Sequence, residues 1–385
     1  MKTIAALSMC PLLSFPQQAV QTGVGPTDMT ATGADCLMTD SAPGVYRKDS
    51  IVKADFSANK KDSIVITKAG RQRSFKESIA KGNYSGLAYV GDNRFVVCND
   101  KTSNAGFYFL DIEIDSLNGK LRNATMSELI SNNSLGYRDE EGIAFVPKTQ
   151  TVFISGEKRQ DIIELRMDGT PTGRELLIPD IYKKTWKNGG FESLTYNDAT
   201  KLFWTASEVS LKADGIESKP QNGLPNRLRL QSFNDSLQPA QAYAYQTELP
   251  TKKSKYSTYV NGVSDIEALD DGRLLVLERE IYIKKHSIGS WVENRIFIVD
   301  PAVETPLVAS DSLTSNAPYV KKTLLYKFRT YMNFLRQNFS NYEGMALGPR
   351  LKDGRQVLLL ICDSADQYKG ILSDWLQVLL VEYLK

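Results

Sequence analysis

Five short segments of the chain share one pattern of polar and apolar positions. An acidic or small residue is followed by a small residue and then by alternating apolar residues. The small residues fall at positions 86, 142, 193, 268 and 344, so the spacings are 56, 51, 75 and 76 residues. Repetition at such intervals indicates a repeat architecture. The five segments are Tyr84–Tyr89, Glu140–Phe145, Phe191–Tyr196, Ile266–Leu269 and Tyr342–Leu347.

Each segment is followed by a turn and by further runs with the composition of strands. Asp92-Asn93, Asp271-Gly272 and Asp353-Gly354 supply the residues that tight hairpins prefer. The second runs are Arg94–Cys98, Thr151–Ile154, Leu202–Thr205, Leu274–Leu277 and Val357–Ile361. The third runs are Phe107–Ile114, Ile162–Met167, Leu228–Phe233, Arg295–Val299 and Gln377–Glu382. A fourth is readable in three units, at Glu175–Ile178, Ala242–Thr247 and Thr323–Phe328.

Repeated four-stranded antiparallel units are typical of the blades of a β-propeller, so we predict an all-β fold with five blades. The fifth unit has no fourth strand before Lys385. The N-terminal strands Ser50–Phe56 and Ser63–Thr67 are predicted to complete that blade and close the ring. The alternatives are that they begin a sixth blade, or that the strands form a pair of β-sandwiches.

The amino-acid composition limits the kinds of functional site that the chain can hold. The chain has 385 residues, 42% of them hydrophobic, and a net charge of +2, values typical of a globular chain and not of a basic nucleic-acid-binding one. His286 is the single histidine, and none of the four cysteines forms a CxxC pair. Histidine-dependent hydrolysis and zinc-ribbon sites are therefore disfavoured, and any metal should be a hard cation held by oxygen. Cys98 and Cys362, each preceded by apolar residues, are predicted to be buried free thiols.

The N-terminus predicts export. Lys2 precedes a mostly apolar run that extends to Phe15, which is the length of a signal-peptide core and too short to span a bilayer. We interpret residues 1–19 as a signal peptide, 20–43 as a flexible linker and 44–385 as a single propeller domain. The alternative for residues 1–19 is a frayed N-terminus that is not an export signal. No later segment reaches the ~20 apolar residues of a transmembrane helix.

Hairpin geometry places two sets of acids at one end of the blades. The first strand of a blade begins where its antiparallel neighbour ends, so acids at these two points meet on one face of the propeller. Their mutual repulsion would be relieved by a divalent cation, most plausibly calcium. The alternative is structural, with the carboxylates accepting backbone N–H groups. The starting acids are Glu141, Glu192, Glu267 and Glu343, and the ending acids are Asp100, Glu157, Glu208, Glu278 (with Glu280) and Asp363.

Basic residues on the loops of the same face favour an anionic ligand. We predict that Lys284, Lys285 and Lys369 contact a small anionic substrate such as a phosphoester. Arg279, between Glu278 and Glu280, is either a further anion ligand or a salt-bridge partner of the acids.

The repeated motifs resemble a known family. Asp139–Ala144, Gly190–Leu194, the run Asp265–Glu280 and Asn341–Pro349 are similar to the phytase-like family called "esterase-like activity of phytase". The resemblance covers about residues 80–385 and implies a phosphoesterase-like activity carried by the repeated acids, in chains that are commonly exported. The chain departs from the pattern at Ser85, where the motif acid is missing, and at Ala268, where glycine is expected.

Three functions follow as hypotheses. The first is a metal-dependent hydrolase of phosphate esters, with calcium bound by the acids and Glu192 or Glu267 as the general base. The second uses the same cation to attack a lactone or carboxylic ester. The third is a non-catalytic binding module. The fold alone does not decide between them.

Overall fold

Runs of β-branched, leucine and aromatic residues form antiparallel strands along the whole described chain. The computed structural model describes residues 61–384, apart from 133, 187–188, 252–255, 309–311 and 333–336, and the side chain of Lys369 is also outside the description. From Asp62 onward the chain forms one compact unit. The predicted signal peptide, the predicted linker and the predicted strand Ser50–Phe56 lie outside the described residues.

The strands form five antiparallel sheets in this part of the chain. Blade 1 contains β2 (Tyr84–Gly91), β3 (Arg94–Asn99), β4 (Gly106–Ile114) and β5 (Leu121–Met126), and the short β6 (Ile130–Ser131) also pairs with β4. Blade 2 contains β7 (Glu140–Val146), β8 (Thr151–Gly156), β9 (Asp161–Arg166) and β10 (Pro171–Glu175). Blade 3 contains β11 (Thr195–Asn197), β12 (Leu202–Thr205), β13 (Arg227–Asn234) and β14 (Pro239–Gln246).

The last two blades differ in how they are built. Blade 4 has the longest strands, β15 (Thr258–Ala268), β16 (Leu274–Ile283), β17 (Ser290–Val299) and β18 (Lys322–Met332). Blade 5 contains β19 (Asn341–Arg350), β20 (Gln356–Asp363), β21 (Leu376–Leu384) and, as its outermost strand, β1 (Ser63–Lys68). β1 pairs antiparallel with β21, from Ser63 opposite Leu384 to Lys68 opposite Leu379. The predicted ring closure by the strand at Ser63 is therefore confirmed, and the sixth blade and the paired sandwiches are not found in the described chain.

The alternation of side chains between the two faces of each strand explains how the blades pack. Successive side chains of a strand point to opposite faces, and each inner blade face is covered by a neighbouring blade. In β20, Leu359 packs against blade 1 and Leu358 against blade 4. Comparable apolar clusters join blades 1 and 2, blades 2 and 3, and blades 3 and 4. Strands buried on both faces read as continuous apolar runs, which accounts for the sequence of β20.

The first strands of the blades form a closed ring around a central channel. β2, β7, β11, β15 and β19 contact one another in that order, and β19 returns to β2. The approach is close because the motif residues are small: a Cβ atom on Gly344 would lie 2.4 Å from the Ser85 carbonyl oxygen, and one on Gly142 would lie 2.6 Å from the Leu194 backbone nitrogen. The repeated small residue is therefore a packing requirement of the ring.

Little helix is present in the described residues. Three short 3₁₀ helices occur there, at Asp180–Lys183, Pro301–Val303 and Tyr368–Gly370. None of the helices that the structure describes has the length and apolar character needed to cross a bilayer. Cys98 and Cys362 are buried and unpaired, as predicted.

Replacing Gly344 by alanine should destabilise the ring, because the new methyl group would overlap the backbone of the neighbouring blade. We expect Gly344→Ala to lower the free energy of unfolding by about 1–3 kcal/mol, as overpacking does. The control is Gly70→Ala, whose nearest contact would be the Lys120 side chain at 3.7 Å. Urea denaturation of both variants measures the difference; equal stabilities would contradict the account of the closed ring.

Candidate functional site

One mouth of the channel carries a dense set of carboxylates. The first strand of each blade starts at this mouth and the second ends there, as the pairing of Glu140 with Gly156 and of Asn341 with Asp363 shows. Seven of the predicted acids are brought together here, and Asp139, which was not predicted, joins them. We call this set the acidic rim. It comprises Asp100, Asp139, Glu141, Glu157, Glu192, Glu208, Glu343 and Asp363.

Burial and mutual repulsion perturb the titration of the rim. Burial raises the pKa of Asp100 to about 7, and Glu343 and Asp139 add to the shift while Lys101 opposes it. Burial likewise raises the pKa of Glu157 to about 7, although the Gly190 N–H that it accepts works in the other direction. For Glu141, Glu192 and Asp363, burial followed by neighbouring carboxylates raises each pKa well above its ordinary value. The mouth therefore favours either protons or cations.

Arg279 is the internal counterion of the rim. It lies on β16 and donates to Glu208 Oε1 at 2.6 Å, to Asn341 Oδ1 at 2.9 Å and to Glu343. These ion pairs join blades 3, 4 and 5 at the mouth. Of the two interpretations left open by the sequence, the salt-bridge partner is the one that the geometry matches.

Three acids at one side of the rim are arranged as cation ligands would be. One carboxylate oxygen from each of Asp100, Asp139 and Glu141 lies within 4.8 Å of the others. Asp100 Oδ1 is buried without a hydrogen-bond partner in the described structure. Glu141 is only 7% exposed, and its carboxylate has no hydrogen bond or ion pair within the described ranges. An all-oxygen donor set with unsatisfied atoms fits a hard cation such as calcium.

Lys101 lies beside this cluster. Its ammonium group contacts the Asp100 carboxylate and lies 3.2 Å from Asp139 Oδ1. Glu141 receives no such contact from a described residue. The cluster is therefore partly neutralised by a side chain from the adjoining loop.

A cleft of about 420 Å³ opens next to the cluster. We call it the rim cleft. It shares Asp139 and Glu157 with the acidic rim, and it adds the basic residues Lys158, Arg159 and Lys183. The other lining residues are Tyr137, Gln160, Thr185 and Trp186. Acids and bases thus face the same space, as an anionic ligand held through a cation would need.

The basic residues of the rim cleft were missed by sequence reasoning. Lys158 and Arg159 directly follow Glu157, in the turn between β8 and β9, and this position was the available signal. The predicted ligands Lys284 and Lys285 instead lie exposed in the turn between β16 and β17. The side chain of Lys369 is outside the described residues.

Glu267 does not lie at the acidic rim. The register irregularity falls between Glu140 and Ile143 in blade 2, between Tyr342 and Gly344 in blade 5, and between Val263 and Asp265 in blade 4. Ser264 consequently takes the place of Glu141. Glu267 stands three residues further along, roughly 10 Å deeper at the usual rise of a strand.

Glu267 lines a cavity of about 230 Å³ at the opposite mouth, with residues of the hairpin turns such as Pro147 and Asp198. We call this space the far cavity. The carboxylate accepts from the Leu347 backbone N–H at 2.9 Å and from Thr195 Oγ1 at 3.0 Å. The prediction that Glu267 shares a face with Glu141, Glu192 and Glu343 is therefore wrong. Its bonds tie blade 4 to blades 3 and 5.

Glu278 also lies apart from the acidic rim. It accepts from Tyr245 OH at 2.6 Å, from the Glu248 backbone N–H at 3.0 Å and from Lys322 Nζ at 2.5 Å. The neighbouring Glu280 is bound by Thr251, Tyr259 and Arg295. Alternation explains the difference, since Arg279 points to the rim and its neighbours point away. The structure thus does not place Glu278 among the cation ligands predicted from the sequence.

A five-bladed propeller with a carboxylate-lined mouth is the class that fold and site define. Residues 79–364, more than half of the chain, match the family model described as phytase-like, "esterase-like activity of phytase". The chain belongs to this phytase-like family. A search of curated proteins finds no match to the sequence.

Three solved structures with similar folds are distant in sequence. The luciferin-regenerating enzyme is 11% identical, with a TM-score of 0.38, covering 84% of this chain and 96% of that one. Streptogramin B lyase is 12% identical, with a TM-score of 0.31, covering 83% and 98%. A chain of the nidogen/laminin complex is 11% identical, with a TM-score of 0.36, covering 83% and 97%. Similarity at this level carries no argument about activity.

Removing Arg279 should leave buried carboxylates without a counterion. We expect Arg279→Met to lower the free energy of unfolding by about 3–5 kcal/mol, as loss of one partner of a buried pair does. Arg94→Met is the control, because the Arg94–Asp111 pair is about half exposed and should contribute less than about 1 kcal/mol. Urea denaturation in EDTA compares the two. A loss for Arg279→Met no larger than the control's would show that the rim does not depend on this guanidinium.

Glu267 should make stability depend on pH in a defined direction. Burial raises the pKa of Glu267 to about 8, so between its ordinary value near 4.3 and 8 the folded state holds a proton that the unfolded state has lost. Its contribution to stability therefore falls as the pH rises through this window and levels off above it.

Glu267→Gln removes that titration and keeps one acceptor for the Leu347 N–H. We expect the variant to match the wild type at pH 5 and to be more stable at pH 8.5, by a margin on the order of a few kcal/mol. Thermal unfolding across this range measures it. A stability difference that does not change with pH would refute the assignment.

Proposed function

We propose that the protein is a divalent-cation-dependent hydrolase of phosphate esters, with calcium as the most suitable ion. The observation that supports this most is the junction of two features in one place. A cluster of carboxylates that Lys101 satisfies only in part, Asp100, Asp139 and Glu141, adjoins a cleft lined by Lys158, Arg159 and Lys183. A cation and a phosphate group are the ligands that such a pairing suits best.

Asp100, Asp139 and Glu141 would hold the cation. A bound divalent cation polarises a phosphoryl oxygen and lowers the pKa of a coordinated water. In this proposal the chain's own residues do the rest: Lys158, Arg159 and Lys183 bind the phosphate, and Trp186 flanks the remainder of the substrate. Lys158 is already oriented, with its ammonium 4.8 Å from the centre of the Tyr137 ring.

Glu157 is the best-placed proton acceptor. Its carboxylate lines the rim cleft, and Oε1 is held by the Gly190 backbone N–H at 3.0 Å. An acid whose pKa lies near 7 is suited to take a proton from an attacking water at neutral pH. Glu192, one of the two candidate bases expected from the sequence, belongs to the acidic rim but is not among the residues that line the cleft.

The basic lining favours phosphate esters over lactones and carboxylic esters, which carry no charge to match Lys158, Arg159 and Lys183. A chromogenic phosphomonoester, phosphodiester and carboxylic ester, each assayed with calcium and with EDTA, separate the alternatives. Calcium-dependent release from a phosphoester supports the proposal. Release from the carboxylic ester alone favours the lactonase-like function, and no turnover with retained calcium binding favours a binding module.

Glu141→Gln should weaken calcium binding tenfold or more, because a charged ligand becomes a neutral one of similar size. Glu267→Gln is the matched control, since the same change at the far cavity should leave calcium affinity unaltered. Isothermal titration calorimetry at pH 8 measures both. Equal affinities for the two variants would count against the Asp100–Asp139–Glu141 cluster as the binding site.

A further inference from the structure

We propose that Lys101 occupies part of the cation position and must be displaced when the cation binds, so that this lysine sets the affinity of the site. The inference rests on the cation site of the proposed function and concerns a residue that the proposal does not otherwise use. Lys101 is a positioning residue in this account, acting through the acids it contacts.

The geometry makes the lysine and the cation mutually exclusive. The ammonium group of Lys101 contacts Asp100 and lies 3.2 Å from Asp139 Oδ1. These are two of the three acids whose oxygens lie within 4.8 Å of one another. Calcium–oxygen distances of about 2.3–2.6 Å allow one ion to bridge oxygens with that separation. An ammonium group and a divalent cation sharing those oxygens would repel each other at short range.

Lys101 is an incomplete substitute for a cation. The Glu141 carboxylate stays without a hydrogen bond or ion pair from any described residue, although the residue is only 7% exposed. Asp100 Oδ1 is likewise buried and unpartnered. A buried carboxylate left in this way is unfavourable, so a ligand that satisfies all three acids has an advantage that the lysine lacks.

The lysine is also able to leave. Lys101 lies in the turn after β3, and its side chain is 31% exposed, so the released ammonium group can reach water without unfolding a strand. Tyr137, Asp139 and Glu157, which line the rim cleft, all interact electrostatically with Lys101. Displacement would therefore leave its positive charge at the edge of the cleft where the anionic substrate is proposed to bind.

The test compares calcium affinities by isothermal titration calorimetry. Lys101→Met removes the competitor and should bind calcium at least tenfold more tightly than the wild type, whereas Lys101→Arg keeps a cation there and should not. Lys201→Met is the control for net charge. It removes a lysine that pairs with Asp198, 2.5 Å away beside the far cavity, and should bind calcium as the wild type does.

A second readout follows the lysine itself. Acylation with an amine-reactive reagent, mapped by mass spectrometry, should label Lys101 slowly in EDTA and several-fold faster with calcium, while Lys201 labels equally in both. If the wild type and Lys101→Met bind calcium with the same affinity and Lys101 labelling does not change, the proposed displacement is refuted. The proposed cation site is then retained. If neither protein binds calcium, both the site and the displacement are overturned.

Discussion

Mutual repulsion between carboxylates packed around one mouth of the channel is the constraint on which the rest of the site depends. Ring closure brings the first strands so near one another that acids from four blades share one opening. Three means of relief coexist there. Arg279 pairs with Glu208 and Glu343, Lys101 pairs with Asp100 and Asp139, and burial favours protons on Glu141 and Glu192. A cation could replace the last two of these, the lysine and the protons.

Buried carboxylates are stabilised in different ways at the two mouths of the channel. At the far cavity the single deeply placed acid, Glu267, is satisfied by a hydroxyl and a backbone N–H from neighbouring blades. At the acidic rim the acids outnumber the donors that face them, so the Glu141 carboxylate and one oxygen of Asp100 are left without hydrogen bonds in the described chain. An acid that is fully bonded holds blades together, whereas one left unbonded is available to a ligand.

Most of the fold could be predicted because it follows from short-range patterns in the sequence. Hairpin turns, runs of apolar residues and the repeated small residue define the blades, and the missing fourth strand of blade 5 predicts the role of β1. The same patterns gave a wrong prediction for blade 4. Nothing local marks the register irregularity at Val263–Asp265, so Glu267 looked like the acid of the repeat when Ser264 holds that place.

The error at Glu278 and the omission of the basic residues of the rim cleft have related causes. β16 continues to Ile283, so Glu278 lies inside a strand and not at its end, and only the face of the sheet decides that Arg279 reaches the rim. The rim cleft is assembled from the β8–β9 turn and from the segment that precedes blade 3. These segments are distant in sequence and meet only because the ring is closed. The pattern of apolar and polar residues does not show which loops meet in this way.

The pairing of β1 with β21 also constrains the order in which the chain can fold. Four blades can assemble from neighbouring strands as they leave the ribosome, but β1 must wait for a partner that is made more than 300 residues later. Contacts this remote in sequence slow folding, and until they form the outer edge of β21 is an open strand to which another chain can add. The pairing that completes blade 5 thus also protects the newly made protein from aggregation.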